Sequence, residues 1–428
     1  MRSPAVILFA AACVCVSGRP AMAQTPAGAS GRTVVVDIQV SSAEMRRNAA
    51  LATASGEVLS RLTDKGLDHL FGPRDGRGWK QVLGRIGATY FLTLPIATIG
   101  HTLAHEAGHI ARIHDAGVGV DRLRIDHWPW LVPYLRAEVV LGQAAADKLT
   151  HEQWLGVIGG GSEASQLQAD ALVDRVFSRD RASYFDWILL AYAKLDMPIY
   201  VWRDLRESRL GSLSSFHEDK EHMFGDPRGY VLNFATIREA RHGYDQPGLD
   251  AIRAVSDQLR EGAWLNLFDF TLWAGLSRAA TYITTGTRET DNPMPKVRGV
   301  GILPGAHFVM TPVGLERGAG VRLVTSALIT HLDFRRTDTP AGSHLWGGTI
   351  ALLPRLRTTF APSVRADVWQ RAGESPGYRI AVGGARDVQV AGKTMGATLD
   401  VGYKTRGYVA GSLERRGLIA TIGAAIRF

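Results

Sequence analysis

Apolar and polar side chains alternate strictly along Val364-Arg365-Ala366-Asp367-Val368, and again along Ala397-Thr398-Leu399-Asp400-Val401-Gly402-Tyr403-Lys404. Successive side chains of an extended strand point to opposite faces, so this pattern predicts strands with one apolar and one charged face. Turns rich in Gly and Asp separate such stretches from about residue 298 onward. The last third of the chain therefore predicts an antiparallel sheet of about eight strands. The candidate strands are 300–311, 319–334, 345–357, 361–371, 377–390, 395–405, 407–415 and 417–428.

The chain closes on an aromatic residue, in the stretch Thr421-Ile422-Gly423-Ala424-Ala425-Ile426-Arg427-Phe428. This stretch resembles the C-terminal insertion signal of bacterial outer-membrane β-barrels, which ends on an aromatic residue after a polar, a Gly and an apolar position. The resemblance implies that residues 296–428 form an antiparallel β-barrel in the outer membrane, with lipid outside, a polar lumen and the barrel assembly machinery as a partner. A soluble periplasmic β-sandwich or β-sheet domain is the alternative, because its strands would alternate as well.

The charge of the protein is divided unevenly along the chain. Residues 298–428 hold 17 Lys and Arg against 8 Asp and Glu, a net charge of +9, whereas residues 1–297 carry a net charge of −1. Such a division indicates two parts with different surroundings. The arginines fit a barrel lumen or a rim near lipid phosphates. Nucleic acid is not expected as a partner, because the basic excess follows alternating strands rather than a basic patch with aromatics.

The first residues are typical of a secretory signal peptide. Arg2 precedes an apolar stretch from Ala5 to Val16, and Ala21-Met22-Ala23 offers a cleavage site. An N-terminal anchor helix and a lipoprotein cleavage at Cys13 are the alternatives. We predict a signal peptide over 1–23 and a leader over 24–41. Both cysteines, Cys13 and Cys15, would then be removed, so no disulfide is expected.

The middle of the chain shows helical periodicity, and we assign residues 42–295 to one mostly helical domain. The predicted helices run from Ser42 to about Phe71, from Trp79 to about Asp115, and over 136–180, 183–210, 228–242, 248–262 and 264–285. Pro95 should kink the second helix, and 117–134 should be an irregular loop or edge strand. The predicted fold class is α+β multidomain, with the helical domain ahead of the barrel.

One motif in the helical part carries metal chemistry, His105-Glu106-Ala107-Gly108-His109. Residues four apart lie on one face of a helix, so both imidazoles can reach one Zn²⁺, while Glu106 can take a proton from a zinc-activated water. The alternative is a helix with two histidines satisfied by core hydrogen bonds. The apolar neighbours Leu103 and Ile110 indicate that this stretch is buried. They favour the metal-binding interpretation, because burying a histidine without a partner costs free energy.

The third ligand is sought in Gly159-Gly160-Gly161-Ser162-Glu163, where three glycines would let a second helix approach closely. The arrangement resembles zinc metallopeptidases of the glutamate-zincin group, in which a downstream helix supplies a glutamate ligand, and the resemblance implies that Glu163 binds zinc. Leu167 stands where that group usually has an acidic residue. Asp170 therefore stays open as an alternative ligand or a partner of the histidines, and Asp174 is a weaker candidate.

His101 lies one turn before His105, but three histidines of one stripe cannot all bind one ion. His101 and His109 are about 12 Å apart along a helix axis, whereas Zn–N bonds are about 2 Å. His101 is either an outer partner of the site, a substrate-facing group or a polar helix position. The cluster His217–His222 is a charged loop, or alternatively a lid or an auxiliary metal loop.

These features predict a zinc-dependent peptidase that hydrolyses peptide or protein substrates and is held in the bacterial outer membrane, with its helical domain in the periplasm. One alternative is an intramembrane metalloprotease of the site-2 type, with Leu195-Asp196 supplying a distant ligand. That alternative requires more apolar helices than the sequence offers. The other is a non-catalytic outer-membrane barrel with a metal-binding helical domain.

Overall fold

The fold is mixed α+β, as the sequence predicts, with most helices ahead of the main sheet. The computed structural model describes residues 76–127, 135–205, 225–355, 360–371, 373–390, 393–410 and 417–427. Several predictions lie outside the described residues: the signal peptide 1–23, the leader 24–41, the helix from Ser42 to Phe71, the cluster His217–His222 and the terminal Phe428.

The helical part consists of eight described α-helices. They are α1 (Trp79–Ala88), α2 (Leu94–Asp115), α3 (Gln143–Ala146), α4 (His151–Phe177), α5 (Tyr184–Asp204), α6 (Asp226–Ala240), α7 (Leu249–Ala263) and α8 (Phe270–Thr285). A π-helical turn, Thr89–Thr93, joins α1 to α2, and a 3-10 turn, Trp264–Phe268, precedes α8. Pro95, where the sequence predicts a kink, directly follows the π turn in the first turn of α2.

The predicted helix over 136–180 is wrong in its first third. Residues before α4 form the strand β2 (Leu135–Val140), which pairs antiparallel with β1 (Arg122–His127). Helix α4 begins only after Thr150, whose hydroxyl accepts from the Gln153 N–H while the Gln153 side chain accepts from the Thr150 N–H. This capping box satisfies two backbone donors that a helix starting earlier would have bonded internally, and it fixes the start of the helix.

The strands of the main sheet run in chain order and pair antiparallel with their neighbours. Two short strands, β3 (Arg181–Ser183) and β4 (Glu289–Asp291), form a separate pair. The main sheet contains β5 (Lys296–Val297), β6 (Val300–Thr311), β7 (Gly314–Val324), β8 (Leu328–Asp338), β9 (His344–Pro354), β10 (Phe360–Arg371), β11 (Gly377–Val390), β12 (Lys393–Lys404) and β13 (Gly417–Arg427), and its spatial order is its sequence order.

Two of the predicted strands are wrong in their bounds. The predicted strand 319–334 is interrupted by a turn, where the Thr325 hydroxyl accepts from the N–H groups of Ala327 and Leu328, so β7 ends and β8 begins there. The described residues of the predicted strand 407–415, Gly407 to Ala410, are not in a strand. Gly407 has a φ of +126°, a conformation outside the extended region that strands require.

The two faces of strands β8–β12 differ as the alternation predicts. The outer face is apolar and exposed: Leu332, Phe334, Trp346, Ile350, Val364, Val368, Tyr378, Ile380, Val382, Leu399, Val401 and Tyr403. The inner face is charged or polar and buried or half-buried: His331, Asp333, Arg335, Thr349, Arg365, Asp367, Arg379, Asp400 and Lys404. The sheet is thus the reverse of a soluble sheet, which turns its apolar face inward.

The sheet is open where the sequence predicts a closed barrel. Within the described ranges β13 pairs only with β12, and no ladder joins β13 to β6. Helix α4 lies against the inner face, where Arg322 binds Asp170 and Asp174 at 3.1 and 2.8 Å. An eight-stranded barrel is only wide enough inside for side chains. A sheet that holds a helix against its inner face therefore cannot close at that strand number.

The helices and the sheet share two apolar cores. One joins α4 and α5 to Leu303, Val324 and Ile329 of the sheet, and the other joins α5, α6 and α7 to Phe308 and Met310. The segment Trp79–Asp115 is the one helical stretch of the described chain that is long and apolar enough to cross a membrane, a property shared with core helices.

The inner-face charges generate the first prediction. Asp367 is fully buried, accepts from Thr349 at 2.6 Å, and pairs with Arg365 at 3.0 Å and with Arg335 and Arg379 at 3.6 and 3.7 Å. Asp367→Asn leaves buried guanidinium groups without their counter-charge and should lower the free energy of unfolding by about 3–5 kcal/mol. Thermal unfolding in detergent, followed by circular dichroism, measures the loss.

Glu374→Gln is the matched control, because Glu374 pairs with Arg371 at 3.4 Å but is 61% exposed. An exposed pair contributes at most about 1 kcal/mol. Equal unfolding midpoints for the two variants would show that the inner-face network does not stabilise the sheet.

Candidate metal centre

Helices α2 and α4 cross in backbone contact. A Cβ added at Gly108 would lie 2.1 Å from the carbonyl oxygen of Gly160, and one added at Gly160 would lie 2.7 Å from that of Gly108. Only glycine allows this approach on both sides, so the sequence expectation that the glycines of α4 admit a second helix is met. The crossing brings the His105–His109 turn of α2 against the middle of α4.

Two imidazoles and one carboxylate converge at this crossing. The Oδ2 atom of Asp226 lies 2.7 Å from Nε2 of His105 and 3.3 Å from Nε2 of His109. The two imidazole rings are 4.9 Å apart between centroids. Both Nε2 atoms therefore face one carboxylate oxygen, and these three donors could hold a metal ion.

Asp226 is held in place by its neighbours on α5 and α6. It is the first residue of α6, and its backbone N–H donates to the Tyr200 hydroxyl at 2.8 Å. Asp204 accepts from the backbone N–H and the guanidinium Nε of Arg228 at 3.2 and 3.1 Å. These bonds tie the start of α6 to the end of α5 and fix where the Asp226 carboxylate points.

The remaining ring nitrogens have partners that orient the imidazoles. Nδ1 of His109 donates to the carbonyl oxygen of Val157 at 2.7 Å, and Nδ1 of His105 lies 3.0 Å from the Ser165 hydroxyl. A donor role at Nδ1 leaves Nε2 free to bind a metal, which is the usual arrangement of metal-ligating histidines. A Cβ at Gly161 would lie 2.5 Å from both Nε2 atoms, so the missing side chain leaves room for an ion. The residues present fit zinc.

The charges of the three groups are strongly coupled. Burial alone would lower the pKa of His109, but the Asp226 carboxylate attracts the protonated ring and raises its pKa to about 10. Asp226 raises the pKa of His105 for the same reason, and burial is again the opposing effect. The histidines in turn hold the pKa of Asp226 well below its ordinary value, although burial opposes this. A metal cation would take the place of the protons on the two rings.

Glu106 lies close to both imidazoles. Its carboxylate and the two imidazoles offer ligand atoms that all lie within 4.8 Å of one another. Burial raises the pKa of Glu106, and the two histidines oppose the shift. A carboxylate with a raised pKa beside two imidazoles is suited to accept and return a proton.

Glu163, expected from sequence to be the third ligand, lies elsewhere. Its carboxylate pairs with the Arg112 guanidinium through contacts of 2.7, 2.8 and 3.1 Å, and Asp226 holds the position beside the imidazoles. Glu163 follows Gly161 by two residues and therefore points away from the face of α4 that touches the histidines. The expectation fails because the sequence does not reveal which face of α4 meets α2.

The other predicted site residues also have partners outside the centre. Asp170 and Asp174 bind Arg322 of the sheet. His101 is buried, with Nδ1 2.7 Å from Oε1 of Gln168 and Nε2 3.0 Å from Oδ2 of Asp196. Asp196, the distant ligand of the site-2 alternative, is thus a partner of His101. Ser165 connects the two histidine environments, at 3.3 Å from His101 and 3.0 Å from His105.

The sequence analysis misses Asp226, Ser165 and Tyr200. Asp226 starts a helix next to Pro227, and an Asp in that position is common for reasons of helix capping alone. Its position beside His105 depends on a fold that brings together residues 121 positions apart in the sequence. No local pattern distinguishes it from the other helix-starting acids.

The missing side chain of Gly161 leaves space beside the two imidazoles, and filling that space tests where the ion binds. Gly161→Ala places a methyl group 2.5 Å from both Nε2 atoms and should weaken zinc binding about 10–100-fold, the range typical of changes next to ligands. Gly156→Ala is the matched control on the same helix, because its nearest neighbour would be Cβ of Pro312 at 3.8 Å. Both substitutions favour the helix. Zinc affinity is measured by competition with a chelator, and equal affinities would contradict the proposed position of the ion.

No family model, curated protein or solved structure matches this chain.

Proposed function

We propose that this protein is a zinc-dependent peptidase held in the bacterial outer membrane by the apolar face of its sheet. The observation that carries the proposal is the convergence of Nε2 of His105, Nε2 of His109 and Oδ2 of Asp226, with Glu106 beside them. Two imidazoles, one carboxylate and a separate glutamate supply both the ligands and the proton-transfer group of a hydrolytic zinc site.

Each residue of the centre has a distinct task in this proposal. His105, His109 and Asp226 hold the ion, and Asp226 replaces Glu163 as the third ligand. When bound, zinc supplies Lewis acidity that polarises a peptide carbonyl and makes water acidic enough to react near neutral pH. Glu106 takes the proton from the attacking water and returns it to the departing amine. The side chains of His105, His109 and Asp226 are 12, 10 and 17% exposed, so each of them partly reaches solvent.

The outer face of the sheet supports the membrane part of the proposal. Register places Leu332, Ile350 and Ile380 in one row across the strands, and Val364, Val382 and Val401 in a parallel row. Two aromatic pairs lie on one side of these rows, with Tyr403 opposite Ile380 in the first row and the other rings further along the strands. The pairs are Phe334 with Trp346 and Tyr378 with Tyr403, with ring centroids 5.5 and 6.3 Å apart.

Polar groups follow these aromatic residues along the strands. Arg336, which pairs with Asp338, lies over the Trp346 ring at 5.5 Å. An aliphatic band followed by aromatics and then by charges is the profile of a lipid-facing sheet. An apolar patch spread over five strands is rare on soluble monomers. The predicted signal peptide and the terminal stretch 421–428 favour the outer membrane, and an open sheet with a helix inside replaces the closed barrel of the sequence analysis.

The site generates the third prediction. Glu106→Gln should keep about one zinc per chain and lose peptide hydrolysis, because the ligands remain while the proton acceptor is gone. His105→Ala and Asp226→Ala should lose the zinc itself. His114→Ala is the matched control, because His114 is an exposed histidine of the same helix.

Metal analysis and cleavage of a broad peptide library measure these outcomes. Full zinc content in Asp226→Ala would remove Asp226 from the site. A wild-type protein that binds zinc but cleaves no peptide would favour the non-catalytic metal-binding alternative.

The sheet generates the fourth prediction. Ile350 is 47% exposed on the outer face, so a bimane probe on Ile350→Cys should be quenched by vesicles of dibrominated phosphatidylcholine. A probe on Asp257→Cys, an exposed position of α7 with 61% side-chain exposure, should stay bright. The only two cysteines of the sequence, Cys13 and Cys15, precede the predicted cleavage after Ala23, so each probe is unique. Equal brightness at both positions would exclude lipid contact of the sheet.

A further inference from the structure

A short segment of the sheet part inserts between the two helices of the metal centre. Tyr408 and Val409 are 5 and 3% exposed, although they lie in a loop after β12. Ala410 of the segment and Ala111 of α2 both pack against Ala164 and Leu167 of α4. The segment Tyr408–Ala410 therefore lies against the pair of helices that forms the α2–α4 crossing.

The same segment contacts a buried ion pair that joins the two helices. The Arg112 guanidinium and the Glu163 carboxylate make contacts of 2.7–3.1 Å and are 3 and 2% exposed. The Tyr408 hydroxyl donates to Oε1 of Glu163 at 3.3 Å, and its ring lies 5.7 Å from the guanidinium carbon of Arg112. Removing one partner of such a buried ion pair is destabilising, because an uncompensated buried charge costs free energy.

The segment is fixed to the sheet at its start. The Lys404 ammonium, at the end of β12, donates to the carbonyl oxygens of Thr405 and Gly407. Gly407 has a φ of +126°, and a side chain there would collide with Trp369 of β10. The position of Tyr408 thus depends on two strands of the folded sheet.

The Arg112–Glu163 ion pair joins the same turns of α2 and α4 that carry the metal centre. Arg112 follows His109 by three residues, about one helical turn, and Glu163 follows Gly161 by two. A rotation or shift of α4 would move Val157, Gly161 and Ser165 together, and these are the groups that orient or make room for the imidazoles.

We propose that Arg112, Glu163 and Tyr408 form a positioning cluster through which the folded sheet sets the zinc affinity of the metal centre. The inference rests on the proposed function only in requiring that the centre binds zinc. The helical part alone therefore binds zinc weakly. Its zinc affinity rises when the sheet has folded and Tyr408 contacts Glu163.

Zinc affinity of the full chain, measured by chelator competition well below the unfolding midpoint, tests the inference. Tyr408→Phe removes only the hydroxyl that donates to Glu163, and Glu163→Gln weakens both contacts of that carboxylate. Each should weaken zinc binding about 10-fold, the lower end of the range for groups that orient ligands. The double variant should lose less than the product of the two, because both changes disrupt one cluster.

Two controls separate positioning from general stability. Tyr282→Leu removes the ring that stacks on Tyr184 in a separate apolar cluster, so it should lower stability and leave zinc affinity unchanged. Tyr244→Phe removes a hydroxyl from a tyrosine that is 61% exposed and should change neither quantity.

The inference is overturned if Tyr408→Phe and Glu163→Gln lower the unfolding midpoint while zinc affinity equals that of the wild type. It is also overturned if Tyr282→Leu weakens zinc binding as much as they do, because the effect would then follow stability alone. If Glu163→Gln does not fold, Tyr408→Phe decides. A wild-type chain that binds no zinc would contradict the proposed function itself, and metal analysis detects that outcome before any variant is compared.

Discussion

The close approach of α2 and α4 at Gly108 and Gly160 is the contact on which the rest of the metal centre depends. Glycine inside a helix costs about 1 kcal/mol relative to alanine, and α4 carries four of them, Gly156, Gly159, Gly160 and Gly161. Because these residues have no side chains, the backbones of α2 and α4 touch, and Val157, Gly161 and Ser165 come within reach of the imidazoles. The buried Arg112–Glu163 pair then locks the crossing from the other side.

Helix α4 also explains why the sheet departs from the architecture that its sequence suggests. The face of α4 that carries Asp170 and Asp174 lies on the charged inner face of the strands, where Arg322 bridges both acids. Apolar side chains of the strands consequently point outward over β8–β12. One helix therefore contacts the polar side of the sheet and carries hydrogen-bond partners of His105 and His109, which couples the two parts of the chain.

Local patterns predict much of this fold, and they fail where long-range packing decides. The alternation around Val364 and Leu399 predicts the strands and their two faces, because one face of each strand meets one environment. The i, i+4 spacing of His105 and His109 identifies the helix of the site. The proximity of Asp226 to the two histidines is not predicted, because Asp226 reaches them through the tertiary packing of α5 and α6. The closed barrel is predicted wrongly, because a sequence pattern does not reveal that a helix lies on the inner face.

Zinc K-edge X-ray absorption of the zinc-loaded full chain tests the central claim most directly, since it counts the imidazoles around the ion. We expect two imidazole nitrogens at about 2.0–2.1 Å from the zinc, with oxygen donors completing the shell. In Asp226→Ala we expect this ordered coordination to be lost. A shell of oxygens alone, a single imidazole, or a spectrum unchanged in Asp226→Ala would contradict it.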